Sequence, residues 1–212
     1  MNQRKTLLLY VGANQGFGLT GLLYKERFDI VITFEPDPEM FQLLQENMKQ
    51  GRLAHMNYPV EYHPVNAACS TEDVMQTIYI YDNRVSTSLG KPFYDEDKPR
   101  VIKTTEVRTV NLYNFLNINN IDWIDCLVTD CQGSDLNILK TIQPLIEEKK
   151  IGKIYHETHK NGYTPYVGLD NQFDGFKELL SKSYRVDYYS CDGTIRELTD
   201  NDLEWDTLWV TK

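Results

Sequence analysis

The sequence has no hydrophobic run long enough to cross a membrane. A bilayer-spanning helix needs about 20 apolar residues, and the longest apolar segments here are far shorter. Near the N-terminus, Arg4 and Lys5 precede only about six apolar residues, fewer than the core of a signal peptide holds. We therefore expect no membrane insertion and a cytoplasmic location.

The cysteine spacing of a metal or redox motif is also missing. The four cysteines, Cys69, Cys126, Cys131 and Cys191, form no C-x-x-C pair, so neither a zinc site nor a thioredoxin-like site is indicated. We expect reduced thiols, as in a cytosolic protein.

Basic residues are too few for a nucleic-acid-binding surface to dominate. Lysine and arginine number 22 against 31 acidic residues, which gives a net charge of -9 at pH 7. DNA, RNA and anionic membranes attract basic surfaces, so this charge argues against them as main partners. The 212 residues, 41% hydrophobic and 25% charged, are enough for one substantial core, and we expect a single domain over residues 1–212.

Strand and helix patterns alternate along the chain. Apolar runs and period-two alternation predict strands at residues 7–11, 29–34, 60–65, 77–81, 101–110, 123–129, 153–155, 184–189 and 205–210. Helical spacing predicts helices at residues 19–27, 38–49, 136–146 and 173–180, with Gly51 ending the second and Pro144 kinking the third. This order predicts an α/β fold. The loop at residues 82–100 is long for a compact domain, and loops of this length are more often functional than not.

A glycine-rich turn follows the first predicted strand. Residues 12–18 read GANQGFG, and Glu35 ends the second strand about 20 residues later, the spacing at which a nucleotide ribose is held. A dinucleotide site would read G-x-G-x-x-G, so the turn favours a cofactor with an adenosine and no phosphate, of which S-adenosylmethionine is the common one. Glu35 would equally suit the ribose of NAD, which leaves an NAD-dependent oxidoreductase as an alternative.

Polar and small residues follow several predicted strands. They are Glu35, Asn66, Ala67, Asp130 and Glu157. In open α/β sheets, ligands bind outside the carboxyl ends of the strands, where the strand order reverses. We therefore expect these residues and the glycine turn to form one site.

Four side chains at this rim are candidates for a general base: Asp130, Glu157, His156 and His159. We rank Asp130 and Glu157 ahead of His159. Strand-end acids such as Asp130 or Asp135 could instead cap the following helix. Asp130, Glu157 and His159 could also ligate a divalent ion, but their spacing matches no dedicated site, so we expect no metal.

Aromatic residues are frequent in the C-terminal part of the chain. Five of them, Tyr163, Tyr166, Tyr188, Tyr189 and Trp205, could form a wall that stacks on a sugar. The interpretation that we favour places most of them at the core edge and on the hairpin face, because aromatic side chains suit strands.

Short motifs along the chain carry a family resemblance. They are residues 11–16 (VGANQG), 34–38 (FEPDP), 66–70 (NAACS), 86–89 (STSL), 109–116 (TVNLYNFL) and 124–133 (IDCLVTDCQG). In this order they resemble the FkbM family of S-adenosylmethionine-dependent methyltransferases. The similarity covers roughly residues 6–160, and Glu157 matches an acid that follows the next strand.

The resemblance implies a fold, an activity and a set of site residues. The fold would be a single Rossmann-like domain with a mostly parallel seven-stranded sheet, helices on both faces and an antiparallel C-terminal hairpin. The activity would be methyl transfer to a hydroxyl of a sugar, of a polyketide or of another natural product, and we expect a sugar in a glycan or glycoconjugate. The cofactor-binding residues would be Gly12, Ala13, Asn14, Gly16, Glu35, Pro36, Asn66, Ala67, Ser88 and Asp130. The catalytic candidates are Asp130, Glu157 and His159.

Two positions depart from the family pattern. Tyr10 stands where the family usually has an acid that anchors the amino group of the cofactor. Gln132 stands where the family has a glutamate, and an amide cannot act as a base. These departures motivate a third hypothesis, a ligand-binding module without catalysis.

Overall fold

The first half of the chain alternates strands and helices. The computed structural model describes residues 4–49, 59–92, 100–191 and 193–212. The first elements are β1 (Leu7–Val11), α1 (Phe17–Lys25), β2 (Ile30–Phe34), α2 (Pro38–Asn47) and β3 (Glu61–Val65). Helix α2 begins at Pro38 after an Asp37 cap, whose side chain accepts a hydrogen bond from the backbone N–H of Glu39 at 3.0 Å.

The middle of the chain adds a small separate sheet. Its elements are β4 (Ala68–Ser70), β5 (Met75–Tyr81), β6 (Lys91–Pro92), β7 (Val101–Asn111) and α3 (Leu112–Ile118). Strand β7 pairs in parallel with β4 and antiparallel with β5. The predicted strands at residues 77–81 and 101–110 are therefore confirmed, and they lie outside the main sheet.

The second half completes the fold. Its elements are β8 (Ile124–Thr129), α4 (Asp135–Thr141), α5 (Gln143–Glu147), β9 (Ile151–His159), β10 (Tyr166–Val167), α6 (Phe173–Leu180), β11 (Tyr184–Cys191), β12 (Thr194–Ile195) and β13 (Glu204–Thr211). The two-residue strands β6 and β10 pair with each other. None of the helices in these described ranges is long and apolar enough to span a bilayer.

The main sheet has the strand order β12-β11-β13-β9-β8-β1-β2-β3. Strands β3, β2, β1, β8 and β9 are parallel neighbours, whereas β13 is antiparallel to both β9 and β11. This confirms the predicted Rossmann-like fold with its antiparallel C-terminal hairpin. The sheet has eight strands and not seven, because the two-residue strand β12 extends its edge.

Helices cover both faces of the sheet, as the alternation of side chains along β1 shows. Leu7, Leu9 and Val11 belong to a buried cluster that includes residues of α3, α4, α5 and α6. Leu8 and Tyr10 point to the opposite face and pack in a cluster with residues of α1 and α2. Strand order reverses between β1 and β8, so their carboxyl ends form the crevice in which such folds bind ligands.

Two predicted helices have different bounds in the structure. The helix predicted at residues 136–146 is two helices, because Pro144 lacks an N–H and lies in the first turn of α5, which starts at Gln143. The helix predicted at residues 19–27 begins two residues earlier, at Phe17, and ends at Lys25. The predicted end of α2 at Gly51, and residues 93–99 of the predicted loop, lie outside the described ranges.

The largest correction concerns strand β9. The predicted strand is a short one that begins at residues 153–155, with Glu157 following it, whereas β9 runs from Ile151 to His159. Its antiparallel partner β13 pairs with it as far as Glu204↔His159, so the polar residues belong to the ladder. Glu157 and His159 therefore share one face of the strand, and His156 faces the other.

Candidate functional site

The turn after β1 requires left-handed backbone at three positions. Gly12 has φ 80°, Asn14 has φ 46° and Gly16 has φ 83°. The backbone N–H groups of Gly12 and Ala13 both donate to the Phe34 carbonyl oxygen at 3.0 Å, which holds the turn against the end of β2. A Cβ on Gly12 would lie 1.9 Å from the carbonyl oxygen of Asp130, so only glycine fits between the ends of β1 and β8.

Gly18, the last glycine of the turn motif, contacts a tyrosine. A Cβ on Gly18 would lie 2.5 Å from Tyr10 Oη. The Tyr10 side chain is buried on the α1 face of the sheet, and burial raises its pKa well above the usual value. Tyr10 therefore packs beneath α1, and Gly18 makes room for it.

Glu35, directly after β2, is held by two backbone donors. Its Oε2 accepts from the N–H of Asn14 and its Oε1 from the N–H of Asp37, both at 2.8 Å. The Asn66 side-chain amide donates to the backbone oxygen of Glu35 at 2.8 Å. Burial raises the pKa of Glu35 to about 7, although the two N–H bonds act in the opposite direction. The carboxyl is thus rigidly placed and titrates near neutrality.

A cavity of about 670 Å³, open to solvent, lies over the crevice. Seven of the predicted site residues line it: Gly12, Asn14, Glu35, Pro36, Ala67, Ser88 and Asp130. The other three predicted cofactor residues, Ala13, Gly16 and Asn66, do not line it. Ala13 is buried among residues of α1, Gly16 is the N-cap of α1, and Asn66 bonds the backbone of residues 35 and 36.

The loop between β5 and β6, residues 82–90, lines the cavity, and we call this segment the cover. The Asn14 side-chain amide donates to the backbone oxygen of Arg84 at 2.9 Å. The Arg84 guanidinium donates to Asp37 at 2.8 Å and to Glu39 at 2.7 Å. Ser88 Oγ donates to the backbone oxygen of Gln132 at 2.8 Å. Arg84 was not predicted as a site residue, since nothing local marks an ion pair with a residue 47 positions away.

Unpaired hydroxyls and apolar side chains share the wall of the cavity. Within the described ranges, Thr87 Oγ1 and Ser134 Oγ are buried and have no hydrogen-bond partner. Ala67, Ile78 and Leu89 supply apolar surface. The cavity therefore offers hydrogen-bonding groups and apolar surface together, as the adenosine of a cofactor requires.

Two carboxyl groups meet through a glutamine next to the cavity. Gln132 Nε2 donates to Asp130 Oδ1 at 3.0 Å and to Glu157 Oε1 at 3.2 Å. Tyr166 Oη donates to Gln132 Oε1 at 2.8 Å. Asp130 is exposed and lines the open cavity, so water reaches it. Burial raises the pKa of Glu157, and the neighbouring carboxylate of Asp130 adds to the effect.

The two histidines of β9 have different surroundings. His159 is buried with its Nε2 at 3.6 Å from Glu157 Oε2, so it lies next to the two acids Asp130 and Glu157, which we call the group of acids. His156 faces the core, where Trp209 Nε1 donates to its Nε2 at 2.9 Å and Phe176 stacks on it at 3.7 Å. Burial lowers the pKa of His156 to about 4, so this candidate base lies in the core. Neither Glu157 nor His159 lines the cavity; both lie behind the glutamine.

Asp135 holds the turn between β8 and α4. Its carboxyl accepts hydrogen bonds from the backbone N–H of Cys131 at 3.2 Å and from Asn171 Nδ2 at 3.1 Å. Burial raises its pKa to about 8. The capping role considered for Asp130 or Asp135 falls to neither, because the N-cap of α4 is Ser134 and the Asp135 carboxyl bonds the turn before the helix. The Asp130 side chain lines the cavity instead.

The five aromatic residues do not form one wall. Tyr163 and Tyr166 flank the His159 imidazole. Tyr189 and Trp205 pack instead on Phe173, the first residue of α6. Tyr188 lies on the opposite face of the sheet from Tyr189 and packs against Tyr155 of β9. In the parts of the chain that the structure describes, no three histidine, cysteine or acidic side chains are arranged to hold a metal ion.

The fold has relatives among solved structures. A methyltransferase FkbM from Methylobacillus flagellatus is 18% identical, with a TM-score of 0.55, and the match covers 99% of this chain and 45% of that one. A SAM-dependent methyltransferase from Leishmania major is 14% identical, with a TM-score of 0.51, covering 99% and 65% of the two chains. An rRNA methylase from Streptococcus thermophilus is 7% identical, with a TM-score of 0.51, covering 98% and 88%. At these identities the likeness shows the fold alone, and this chain spans less than half the length of the first neighbour.

Sequence comparison identifies the family directly. None of the curated proteins matches the chain. The family model described as the methyltransferase FkbM domain matches residues 11–186, which is most of the chain. The chain therefore belongs to the FkbM methyltransferases, whose methyl donor is S-adenosylmethionine.

Proposed function

We propose that this chain transfers a methyl group from S-adenosylmethionine to a hydroxyl of a sugar in a glycan or glycoconjugate. Membership of a methyltransferase family leaves the oxidoreductase alternative without support. The observation that carries the hydroxyl assignment is the Asp130 carboxyl, which faces the cavity and is joined through Gln132 to a second acid. A hydroxyl acceptor must lose its proton as the new bond forms, and this arrangement supplies the base.

The cavity fits the methyl donor. Glu35 would accept hydrogen bonds from the ribose hydroxyls with the lone pairs that its backbone donors leave available. Pro36 and Ala67 would contact the adenine, with Thr87 Oγ1 and Ser134 Oγ as additional polar partners. When bound, the cofactor supplies an electrophilic methyl group, so the protein has to position the acceptor and remove one proton.

The turn would hold the methionine end of the cofactor. Gly12 and Asn14 line the cavity at this end. Ala13, Gly16 and Asn66 would act by shaping the turn and the crevice, and Ser88 by holding the cover in place.

The group of acids would remove the proton of the acceptor hydroxyl. Asp130 would take the proton of the acceptor hydroxyl, because it alone of the acids Asp130 and Glu157 lines the cavity. Glu157 is held next to it through Gln132, and burial favours the protonated, uncharged form of Glu157, so it adds no second negative charge beside Asp130. His159, at 3.6 Å from Glu157, would stabilise the ionised form of the pair.

A sugar suits these surroundings because its hydroxyls donate hydrogen bonds to carboxylates. The net charge of -9 disfavours nucleic acid as the acceptor. All four cysteines of the chain are thiols, and this supports a cytoplasmic location.

The test combines methyl transfer with calorimetry. The purified protein is incubated with S-adenosylmethionine carrying a labelled methyl group and with glycans from cells that lack the protein. We expect label on a sugar oxygen, seen by mass spectrometry as one added methylene. The Asp130→Asn variant should bind S-adenosylhomocysteine in calorimetry and transfer no label. Label on nitrogen or carbon would refute the hydroxyl assignment, and cofactor binding without any transfer would favour the non-catalytic module.

A further inference from the structure

Both ends of the Gln132 side-chain amide are hydrogen-bonded to residues next to the cavity. Its Nε2 carries two N–H bonds, and it donates to Asp130 at 3.0 Å and to Glu157 at 3.2 Å. Its Oε1 accepts from Tyr166 at 2.8 Å. The tyrosine hydroxyl thereby fixes which end of the amide faces the two carboxyls.

Tyr166 is itself held by close packing. A Cβ on Gly90 would lie 2.8 Å from Tyr166 Cβ, and a Cβ on Gly133 would lie 2.8 Å from Tyr166 Cδ2. Tyr166 also belongs to β10, which pairs with β6 next to the cover of the cavity. Because Ser88 Oγ donates to the Gln132 backbone oxygen, the cover and the group of acids meet at this one residue.

Two carboxyl groups this close to a common point repel each other when both are ionised. An amide that donates to both offsets that repulsion without adding charge. A glutamate at the same position would add a third carboxyl at about the same distances, and at least one more proton would have to be held there.

We propose that Gln132, oriented by Tyr166, is a positioning residue that holds Asp130 and Glu157 side by side for proton removal from the acceptor. This inference rests on the proposed methyl transfer. It also explains the departure from the family pattern at position 132, since the amide acts through the two acids and is not itself the base.

The experiment compares Gln132→Glu and Tyr166→Phe with Tyr184→Phe as a matched control. Tyr184 also donates its hydroxyl within the structure, to the Ile151 carbonyl oxygen at 2.8 Å, but far from the group of acids. In Gln132→Glu the acid limb of the pH profile of kcat should move up by about one pH unit or more, with KM for S-adenosylmethionine unchanged. Tyr166→Phe should lower kcat roughly tenfold with the same KM, while Tyr184→Phe keeps both kcat and the profile. Wild-type kcat and pH profile in both site variants would overturn the inference.

A second measurement needs no acceptor. The free energy of unfolding is measured in urea from pH 5 to pH 8 for the wild type and Gln132→Glu. Because the added carboxyl must hold a proton in the folded state, the stability lost by the variant should grow with pH. If no glycan is methylated, a growing loss still supports the role of the amide while the proposed function fails. A loss that stays constant over this range overturns the inference whatever the transfer assay shows.

Discussion

Binding of an adenosine ribose should depend on pH through Glu35. The ribose hydroxyls donate hydrogen bonds, so the ionised carboxylate binds them better than the protonated acid does. Burial raises the pKa of Glu35 to about 7, so in the protein without ligand the ionised fraction rises from roughly a tenth at pH 6 to roughly nine tenths at pH 8. The dissociation constant should therefore fall roughly tenfold between pH 6 and pH 8, about 1.4 kcal/mol of binding free energy.

The assay is a calorimetric titration with adenosine at both pH values. Adenosine lacks the methionine part of the cofactor, so the acids around Asp130 contribute little to its pH dependence. The matched control ligand is 2′,3′-dideoxyadenosine, which differs only in the two ribose hydroxyls and should bind with the same dissociation constant at both pH values. Equal affinities of adenosine at pH 6 and pH 8 would refute the assignment of Glu35 to the ribose.

Two further predictions concern stability, both measured by urea unfolding. Gly12→Ala places a Cβ 1.9 Å from the Asp130 carbonyl oxygen at a residue with φ 80°, and it should lower the free energy of unfolding by at least about 3 kcal/mol. Gly21→Ala lies in α1 with open space around it and should raise the free energy of unfolding by about 0.5–1 kcal/mol. Equal effects of the two substitutions would contradict the packing of the turn. Burial raises the pKa of Asp135 from 3.8 to about 8, so the stability from its protonated form is complete below pH 3.8 and is lost as the pH rises through 8. The wild type should lose about 2 kcal/mol more than Asp135→Asn between pH 6 and pH 8, and parallel pH curves would show that Asp135 does not titrate in this range.

The order of elements could be read from the sequence because its signals are local. Buried strands such as β1 and β2 are short apolar runs, and their carboxyl ends must meet at one edge once the sheet is parallel. Glu35, Asp130 and the glycine turn were therefore expected at one site, and the structure places them around one cavity.

The contacts that shape the site could not be predicted in this way. The hydrogen bonds Arg84 to Asp37 and Tyr166 to Gln132 join residues 47 and 34 positions apart, and no periodicity marks such pairs. The extension of β9 also depends on a distant partner, since β13 lies about 50 residues further along the chain. Long-range pairing, and not local propensity, decided these features.

The contact between Tyr10 and Gly18 restricts how this protein can change during evolution. A tyrosine at position 10 fills the space that a side chain at position 18 would need, so Gly18→Ala requires a smaller residue at position 10. Conversely, a return of Tyr10 to the acid usual in the family would leave a gap beneath α1 that a larger residue at position 18 could fill. The two positions should therefore vary together among relatives, and a relative with the acid should tolerate a side chain where this chain has glycine.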